Sequence, residues 1–129
     1  MPIIPYSRQT ITEEDINSVV EVLRSSMLTQ GEVVPTFENT VAKYVNSNFG
    51  VAVNSATSGL HIACLSMDLG PGDWLWTSST TFVASANCAL YCKAKIDFVD
   101  IELSTGLLCI TKLEEKLKKQ ESDFMNAQH

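Results

Sequence analysis

The sequence predicts an α/β fold built on a mostly parallel sheet with flanking helices. Short apolar runs of strand type alternate along the chain with longer segments whose apolar residues recur at helical spacing. Consecutive parallel strands need a crossover between them, and the helical segments supply it. The chain is 45% hydrophobic and 19% charged, which suits a packed core. We therefore expect the carboxyl ends of the strands to share one edge of the sheet, where ligands of such folds bind.

The first two helices are predicted from capping residues and periodicity. Thr12 is followed by three acidic residues, a pattern typical of a helix N-terminus. Apolar residues then continue at helical spacing to Leu23, and the segment Leu28–Gly31 ends the helix. Pro35 is expected to open the second helix, because proline fits the first helical turn. The apolar face of this helix comprises Phe37, Val41, Tyr44 and Val45.

The rest of the chain is predicted as alternating strands and helices. The predicted strands are Phe49–Asn54, Trp74–Thr77 and Ala94–Ile101, and the turns between elements include Gly70–Asp73 and Ser104–Gly106. The predicted helices run from Thr57 to about Leu69, from Phe82 to Cys92 and from Ile110 to Lys119. The polar residues 120–129 are expected to form a frayed tail.

The charge and the hydropathy of the sequence argue against some classes of binding partner. Nine Lys and Arg against fifteen Asp and Glu give a formal net charge of -6, which argues against nucleic acid and anionic membranes. No apolar run approaches the roughly 20 residues that span a bilayer. The segment Met1–Pro5 lacks the basic start of a signal peptide, so a cytoplasmic location is the expectation.

The four cysteines are expected to be buried free thiols in a reduced compartment. Cys88 and Cys92 share one predicted helix face, but a metal site would need further ligands close by. His61 and His129 are poorly placed to supply them, so no metal site is predicted.

The bend between the run ending at Asn54 and the following helix is the main candidate for a binding site. It carries Ser55, Ala56, Thr57 and Ser58 beside the free N–H groups of a helix N-terminus. Such groups and the positive end of the helix dipole bind phosphate. Simple N-capping by Ser55 or Thr57 is the other interpretation, and the local pattern leaves both open.

Further candidates follow the next two strands. Phe82 comes where a helix starts, and it either stacks on a flat heteroaromatic ligand or packs in the core beneath the sheet. Asp100 closes the strand before it and either binds a ligand or caps a turn, and the cap is the better interpretation. His61 is expected to be structural, and the lysines from Lys112 to Lys119 are expected to form a solvated helix face.

Taken in order, several segments resemble the pyridoxal-phosphate-dependent sugar-nucleotide aminotransferases of the DegT/StrS type, a branch of the fold-type-I enzymes. The matching segments are Ile4–Tyr6, Leu28–Gly31, Phe37–Glu38, Val53–Ser58, Gly70–Asp73, Thr81–Ala84 and Phe98–Ile101. The resemblance implies that residues 1–119 are the N-terminal portion of the large domain of such an enzyme. It also implies transfer of an amino group from glutamate to the 4-keto carbon of a UDP-linked deoxy sugar, as in pseudaminic acid synthesis.

The resemblance assigns roles to residues by position. The bend of Ser55, Ala56, Thr57 and Ser58 would hold the phosphate of pyridoxal 5'-phosphate, and Phe82 would stack on the pyridine ring. Contacts with the sugar nucleotide, partly across a homodimer interface, would come from Tyr6, Met27, Leu28, Thr29, Gln30 and Gly31.

The chain also departs from the family. Family members are far longer, and their cofactor-attaching lysine and the acid that pairs with the pyridine nitrogen would lie beyond residue 129. No catalytic residue is therefore predicted in this chain, and a truncated form that is inactive alone is the expectation. The alternatives are a non-catalytic module that binds a phosphorylated ligand and a structural remnant. Lys93 stands where many relatives have a helix-ending glycine.

Overall fold

The computed structural model describes residues 3–126, with side-chain surroundings through residue 120. The chain divides into two compact units, Met1–Ala52 and Val53–His129. The first contains helices α1 (Glu13–Arg24) and α2 (Val33–Tyr44). The second contains, in order, α3 (Ala56–Ser66), β1 (Trp74–Ser78), α4 (Ala84–Tyr91), β2 (Lys95–Val99) and α5 (Ile110–Asn126). The α/β class is confirmed, and the predicted helices are all present with shifted ends.

The start of α1 is a capping box, as its sequence predicts. The N–H of Asp15 donates to Thr12 Oγ1 at 3.3 Å, and the N–H of Thr12 donates back to Asp15 Oδ2 at 2.8 Å. These bonds satisfy donors that the helix leaves free. The N–H of Thr12 and, less strongly, its hydroxyl donate to the Asp15 carboxylate and lower its pKa. The second helix begins at Val33, slightly before Pro35, and ends at Tyr44.

The predicted strand Phe49–Asn54 is wrong: within the described residues this segment pairs with no other strand. The N–H of Ala52 donates instead to Glu38 Oε1 at 2.8 Å. The segment has strand-type residues, but a strand forms only beside a partner that takes its backbone hydrogen bonds. Among the residues that the structure describes, none supplies such a neighbour.

The second unit is organised around a parallel pair of strands. The residues of β1 and β2 pair in register from Trp74 with Lys95 to Ser78 with Val99. Helix α4 connects the two strands and contacts both, and α3 packs against α4. This is the βαβ arrangement that the alternating pattern predicts, and it puts the carboxyl ends of both strands at one edge.

Free thiols form the centre of this unit. Cys64, Cys88 and Cys92 are buried together, with three leucines packed against them: Leu60, Leu69 and Leu75. Burial raises the pKa of the Cys64 thiol to about 11, and the neighbouring thiols add to the rise. The prediction of buried free thiols is confirmed for these three, whereas Cys109 is half-buried.

Ion pairs tie α5 to β2 and the residue that follows it. Lys112 Nζ lies 2.5 Å from Asp100 Oδ2, and Lys116 pairs with Asp97. Two of the lysines expected on a solvated face therefore hold the helix in place. The helix continues beyond the predicted end at Lys119 through Asn126, and residues 127–129 lie outside the described part of the chain.

The described residues carry no sign of a membrane span or of a metal centre. None of their helices combines the length and apolar character needed to cross a bilayer. They also contain no group of three or more His, Cys, Asp or Glu arranged to hold a metal ion.

Candidate cofactor-binding site

The bend at the start of α3 is built around the Ser55 hydroxyl. Ser55 has extended backbone geometry and caps the helix, accepting a hydrogen bond from the N–H of Ser58 at 3.2 Å. The first helical bond runs from the N–H of Gly59 to the carbonyl of Ser55 at 3.0 Å. The capping interpretation is therefore correct for Ser55.

Capping leaves part of the helix N-terminus available. Within the described residues, the backbone N–H groups of Ala56 and Thr57 have no hydrogen-bond acceptor. The Thr57 hydroxyl makes no hydrogen bond there either, and Thr57 is half-buried while Ser55 and Ala56 are exposed. Two donors and a hydroxyl at the positive end of a helix match the chemistry of a phosphate group.

Asn54 organises this bend, a role that the sequence argument did not assign to it. Its Oδ1 accepts from the Ser58 hydroxyl at 2.7 Å and from the Ser55 hydroxyl at 3.4 Å. The two serine hydroxyls lie 3.1 Å apart. Asn54 thus holds both side chains on one side of the bend. The signal available in the sequence was the tendency of Asn to bond to neighbouring groups just before a helix.

Phe82 is exposed, so its interpretation as a core residue is wrong. The residue is 59% exposed, although Ala84, which begins α4, is buried. The carbonyl of Phe82 accepts from the N–H of Ser85 at 2.9 Å, which fixes the backbone at the helix start. An exposed ring on a fixed backbone is free to stack on a flat ligand.

The loops that follow β1 and β2 meet at the carboxyl edge of the sheet. The N–H of Ser79 donates to the carbonyl of Val99 at 3.2 Å, next to Asp100. Asp100 itself caps the N–H of Ile101 at 2.9 Å and pairs with Lys112. Both bonds lower the pKa of Asp100, the lysine contact more strongly. These contacts give Asp100 a structural role, and a role in ligand binding stays a prediction.

His61 is structural, as expected. Its ring meets that of Tyr91 edge-on, with centroids 5.2 Å apart and planes at 61°. The contact joins α3 to α4 one helical turn beyond the bend. It therefore stabilises the packing of α3, the helix whose N-terminus forms the candidate site.

The residues predicted to contact the sugar nucleotide belong to the first unit. Met27, Leu28, Gln30 and Gly31 line a cavity of about 390 Å³ between the end of α1 and the start of α2. Gln30 has a φ of 55°, and a Cβ at Gly31 would lie 2.8 Å from the carbonyl oxygen of Met27. The loop therefore needs glycine at 31, because any side chain there would collide with backbone.

Tyr6 and Thr29 are exposed and are not among the residues that line this cavity. Their contacts with a sugar nucleotide stay predictions, as do those of the four lining residues.

The sequence profile of the DegT/DnrJ/EryC1/StrS aminotransferase family matches residues 9–128. The chain belongs to this family. Its fold is correspondingly that of the pyridoxal-phosphate aminotransferases, which confirms the fold class that the resemblance implies.

A curated relative is the UDP-4-amino-4,6-dideoxy-N-acetyl-beta-L-altrosamine transaminase of Campylobacter jejuni subsp. jejuni serotype O:23/36 (strain 81-176). It is 36% identical over 121 residues, which cover 94% of this chain and 32% of that protein. The chain spans about a third of the length of the curated relatives that it matches.

Two solved structures are similar to the chain. The PLP form of the putative sugar aminotransferase Spr1654 from Streptococcus pneumoniae has a TM-score of 0.83 and 32% identity, covering 87% of this chain and 29% of its own. Helicobacter pylori PseC, an aminotransferase involved in the biosynthesis of pseudoaminic acid, has a TM-score of 0.80 and 30% identity over 86% of this chain and 30% of its own. The cofactor expected from the family, pyridoxal 5'-phosphate, is confirmed at the level of the family.

Proposed function

We propose that this chain supplies the phosphate-binding bend and the ring-stacking phenylalanine of a pyridoxal-phosphate-dependent nucleotide-sugar aminotransferase. The observation that carries the proposal is the pair of N–H groups at the start of α3, those of exposed Ala56 and half-buried Thr57, that have no acceptor within the described residues. The Thr57 hydroxyl adds a third donor, and Phe82 offers an exposed ring. The cofactor supplies the electron sink that amino transfer needs.

The proposed reaction is transfer of an amino group from glutamate to the 4-keto carbon of a UDP-linked deoxy sugar. The Campylobacter relative, named for a UDP-amino sugar, supports this substrate class. In the proposal Met27, Leu28, Gln30 and Gly31 form the wall that faces the sugar nucleotide, joined by Tyr6 and Thr29. A homodimer is the proposed assembly.

In this proposal the residues of the chain bind and orient the cofactor and the sugar nucleotide, and none of them carries out the chemical step. The proposal therefore predicts that the 129-residue chain by itself shows no glutamate-dependent amino transfer. The chain should nevertheless bind the phosphate of the cofactor, because the donors for it lie within α3.

A chimera tests the proposal. The chain replaces the matched third of the Campylobacter transaminase, and the product is assayed with glutamate and a UDP-linked 4-keto-6-deoxy sugar. Thr57→Val removes a hydroxyl from the bend, and Thr40→Val removes one from α2, where the hydroxyl bonds to the carbonyl of Thr36. Loss of a hydrogen bond to a charged group should weaken cofactor binding about tenfold or more in the first variant.

The expected result is amino transfer by the chimera, a weaker cofactor affinity for Thr57→Val and an unchanged affinity for Thr40→Val. Equal affinities in the two variants, or a folded chimera that binds no cofactor, would contradict the proposal.

A further inference from the structure

The chain that leads from α2 toward the bend doubles back along α2. It reverses direction at Asn46, which has a φ of 55°, and the N–H of Ser47 donates to the carbonyl of Ala42 at 2.8 Å. The Ser47 hydroxyl then donates to the carbonyl of Phe49 at 2.9 Å. These bonds return the chain to the middle of α2, where Glu38 lies.

Glu38 meets the returning chain with both its backbone and its side chain. A Cβ built at Gly50 would lie 2.6 Å from the carbonyl oxygen of Glu38, so the main chain passes directly against α2 at this point. Two residues further on, the N–H of Ala52 donates to Glu38 Oε1 at 2.8 Å. Both residues are half-buried, which strengthens a hydrogen bond to a charged oxygen.

Within the described residues, this bond is the main hydrogen-bonding restraint on the segment. The segment Phe49–Asn54 pairs with no strand there. Of the backbone N–H groups of residues 50–53 in the described structure, that of Ala52 alone is hydrogen-bonded. Loss of the Glu38 carboxylate should therefore free this segment to move.

Ala52 is joined to the bend through a single intervening residue. Asn54, which accepts hydrogen bonds from the hydroxyls of Ser55 and Ser58, is the second residue after Ala52. A displacement of Ala52 must be absorbed by the few backbone dihedral angles between the two residues, or it moves Asn54. The place where Glu38 holds the main chain therefore sets where the bend begins.

We propose that Glu38 is a positioning residue for the phosphate-binding bend. Its carboxylate fixes the main chain at Ala52, so that Asn54 can hold the two bend serines in place. Glu38 itself contacts no ligand in this account. The inference rests on the proposed function of the bend and adds to it a residue of α2.

Variants of Glu38 test the proposal in the 129-residue chain, with pyridoxamine 5'-phosphate as the ligand. Glu38→Ala removes the acceptor, and the affinity measured at the amides of Ala56 and Thr57 should fall about fivefold or more. Glu38→Gln keeps an oxygen at the same place and should restore most of the affinity. Glu21→Ala removes the same charge from an exposed position on α1 and should leave the affinity unchanged.

Gly50→Ala disturbs the same segment without altering the carboxylate. The added methyl group would collide with the carbonyl oxygen of Glu38, so the main chain has to move away from α2. This variant should weaken binding as Glu38→Ala does. Circular dichroism should show unchanged helix content in all the variants, because none of the changes breaks a hydrogen bond within a helix.

Amide exchange without ligand separates this inference from the proposed function. The N–H of Ser58 donates to Ser55 Oγ, so its exchange rate reports how well the bend is ordered. In Glu38→Ala, the amides of Ala52 and Ser58 should both exchange at least about threefold faster than in the parent chain. Glu38→Gln should return Ser58 to near the parent rate.

Three results would overturn the inference. The first is faster exchange at Ala52 with unchanged exchange at Ser58 and unchanged affinity, which would confine Glu38 to its local contact. The second is an equal loss of affinity in Glu38→Gln and Glu38→Ala, and the third is parent-like affinity in Gly50→Ala. A parent chain that binds no pyridoxamine 5'-phosphate would contradict the proposed function, and exchange at Ser58 would still decide whether Glu38 orders the bend.

Discussion

Lys93 lies just after a helix, at a position where the backbone adopts a left-handed conformation. It follows α4 with a φ of 60°, and the next N–H, that of Ala94, bonds back to the carbonyl of Ala89 at 2.9 Å. This closure needs a left-handed residue, for which glycine has no steric cost. The resemblance placed a glycine here in many relatives, and the structure gives the physical reason.

Lys93→Gly should therefore stabilise the chain by about 1 kcal/mol, because it relieves the left-handed strain of a side chain at this position. Urea unfolding of the variant and the parent measures the effect. Lys93→Ala is the matched control: it also removes the charge but keeps the Cβ, and it should give no gain. A glycine variant no more stable than the alanine variant would show that the backbone here is unstrained.

At the level of elements, local signals predicted the helices better than the strands. The Thr12 cap and the spacing of apolar residues place α1 correctly, since both act within one helix. The prediction of a strand at Phe49–Asn54 is wrong, because strand formation depends on a pairing partner that the local sequence does not reveal. For the same reason the sequence could not decide whether Phe82 is exposed or packs in the core. The role of Asn54 could have been predicted, because its hydrogen bonds join residues at most four positions apart.

The attachment of α5 depends on two carboxylates whose ionisation is favoured in the fold. The hydrogen bond from Lys116 lowers the pKa of Asp97, and the N–H of Phe98 lowers it further. A pKa below the ordinary value of 3.8 contributes stability that is present at higher pH and is lost as pH falls through the folded-state value.

Asp97→Asn should accordingly destabilise the chain near neutral pH and make much less difference in strong acid. The amide keeps an oxygen for the N–H of Phe98 but gives up the ion pair with Lys116. The free energy of unfolding of both proteins is compared from about pH 6 down to about pH 2. Glu114→Gln, on the same helix but outside both ion pairs, controls for net charge. A gap between parent and Asp97→Asn that stays constant with pH would refute the assignment.

At the scale of the whole molecule, the described residues bury mainly small side chains and leave many large apolar ones exposed. The buried residues are mainly alanines and cysteines, and Val99 is the largest side chain among those fully buried in the described part. Phe37, Val41 and Tyr44 are all exposed on α2, although their spacing marks them as an apolar face. In a family whose members are about three times as long, such faces are expected to be covered by further polypeptide.

The isolated chain should therefore bind a hydrophobic dye such as anilinonaphthalene sulfonate and self-associate as its concentration rises. Phe37 is 57% exposed, and Phe37→Ser should reduce both effects without loss of helix content. Size-exclusion chromatography and dye fluorescence measure the outcome. A monodisperse chain that binds no dye would indicate a self-sufficient module, the alternative that the sequence left open.

We propose above that the start of α3 binds the phosphate of a vitamin B6 cofactor. Pyridoxamine 5'-phosphate tests it most directly, because this compound has no aldehyde to react with surface lysines. Amide chemical shifts of the isotope-labelled chain are followed during titration at concentrations where it is dispersed, with pyridoxamine as the ligand that lacks phosphate. We predict saturable shifts at Ala56 and Thr57 with the phosphorylated ligand and none with pyridoxamine. Unmoved amides at both residues, or equal shifts with the two ligands, would contradict the account.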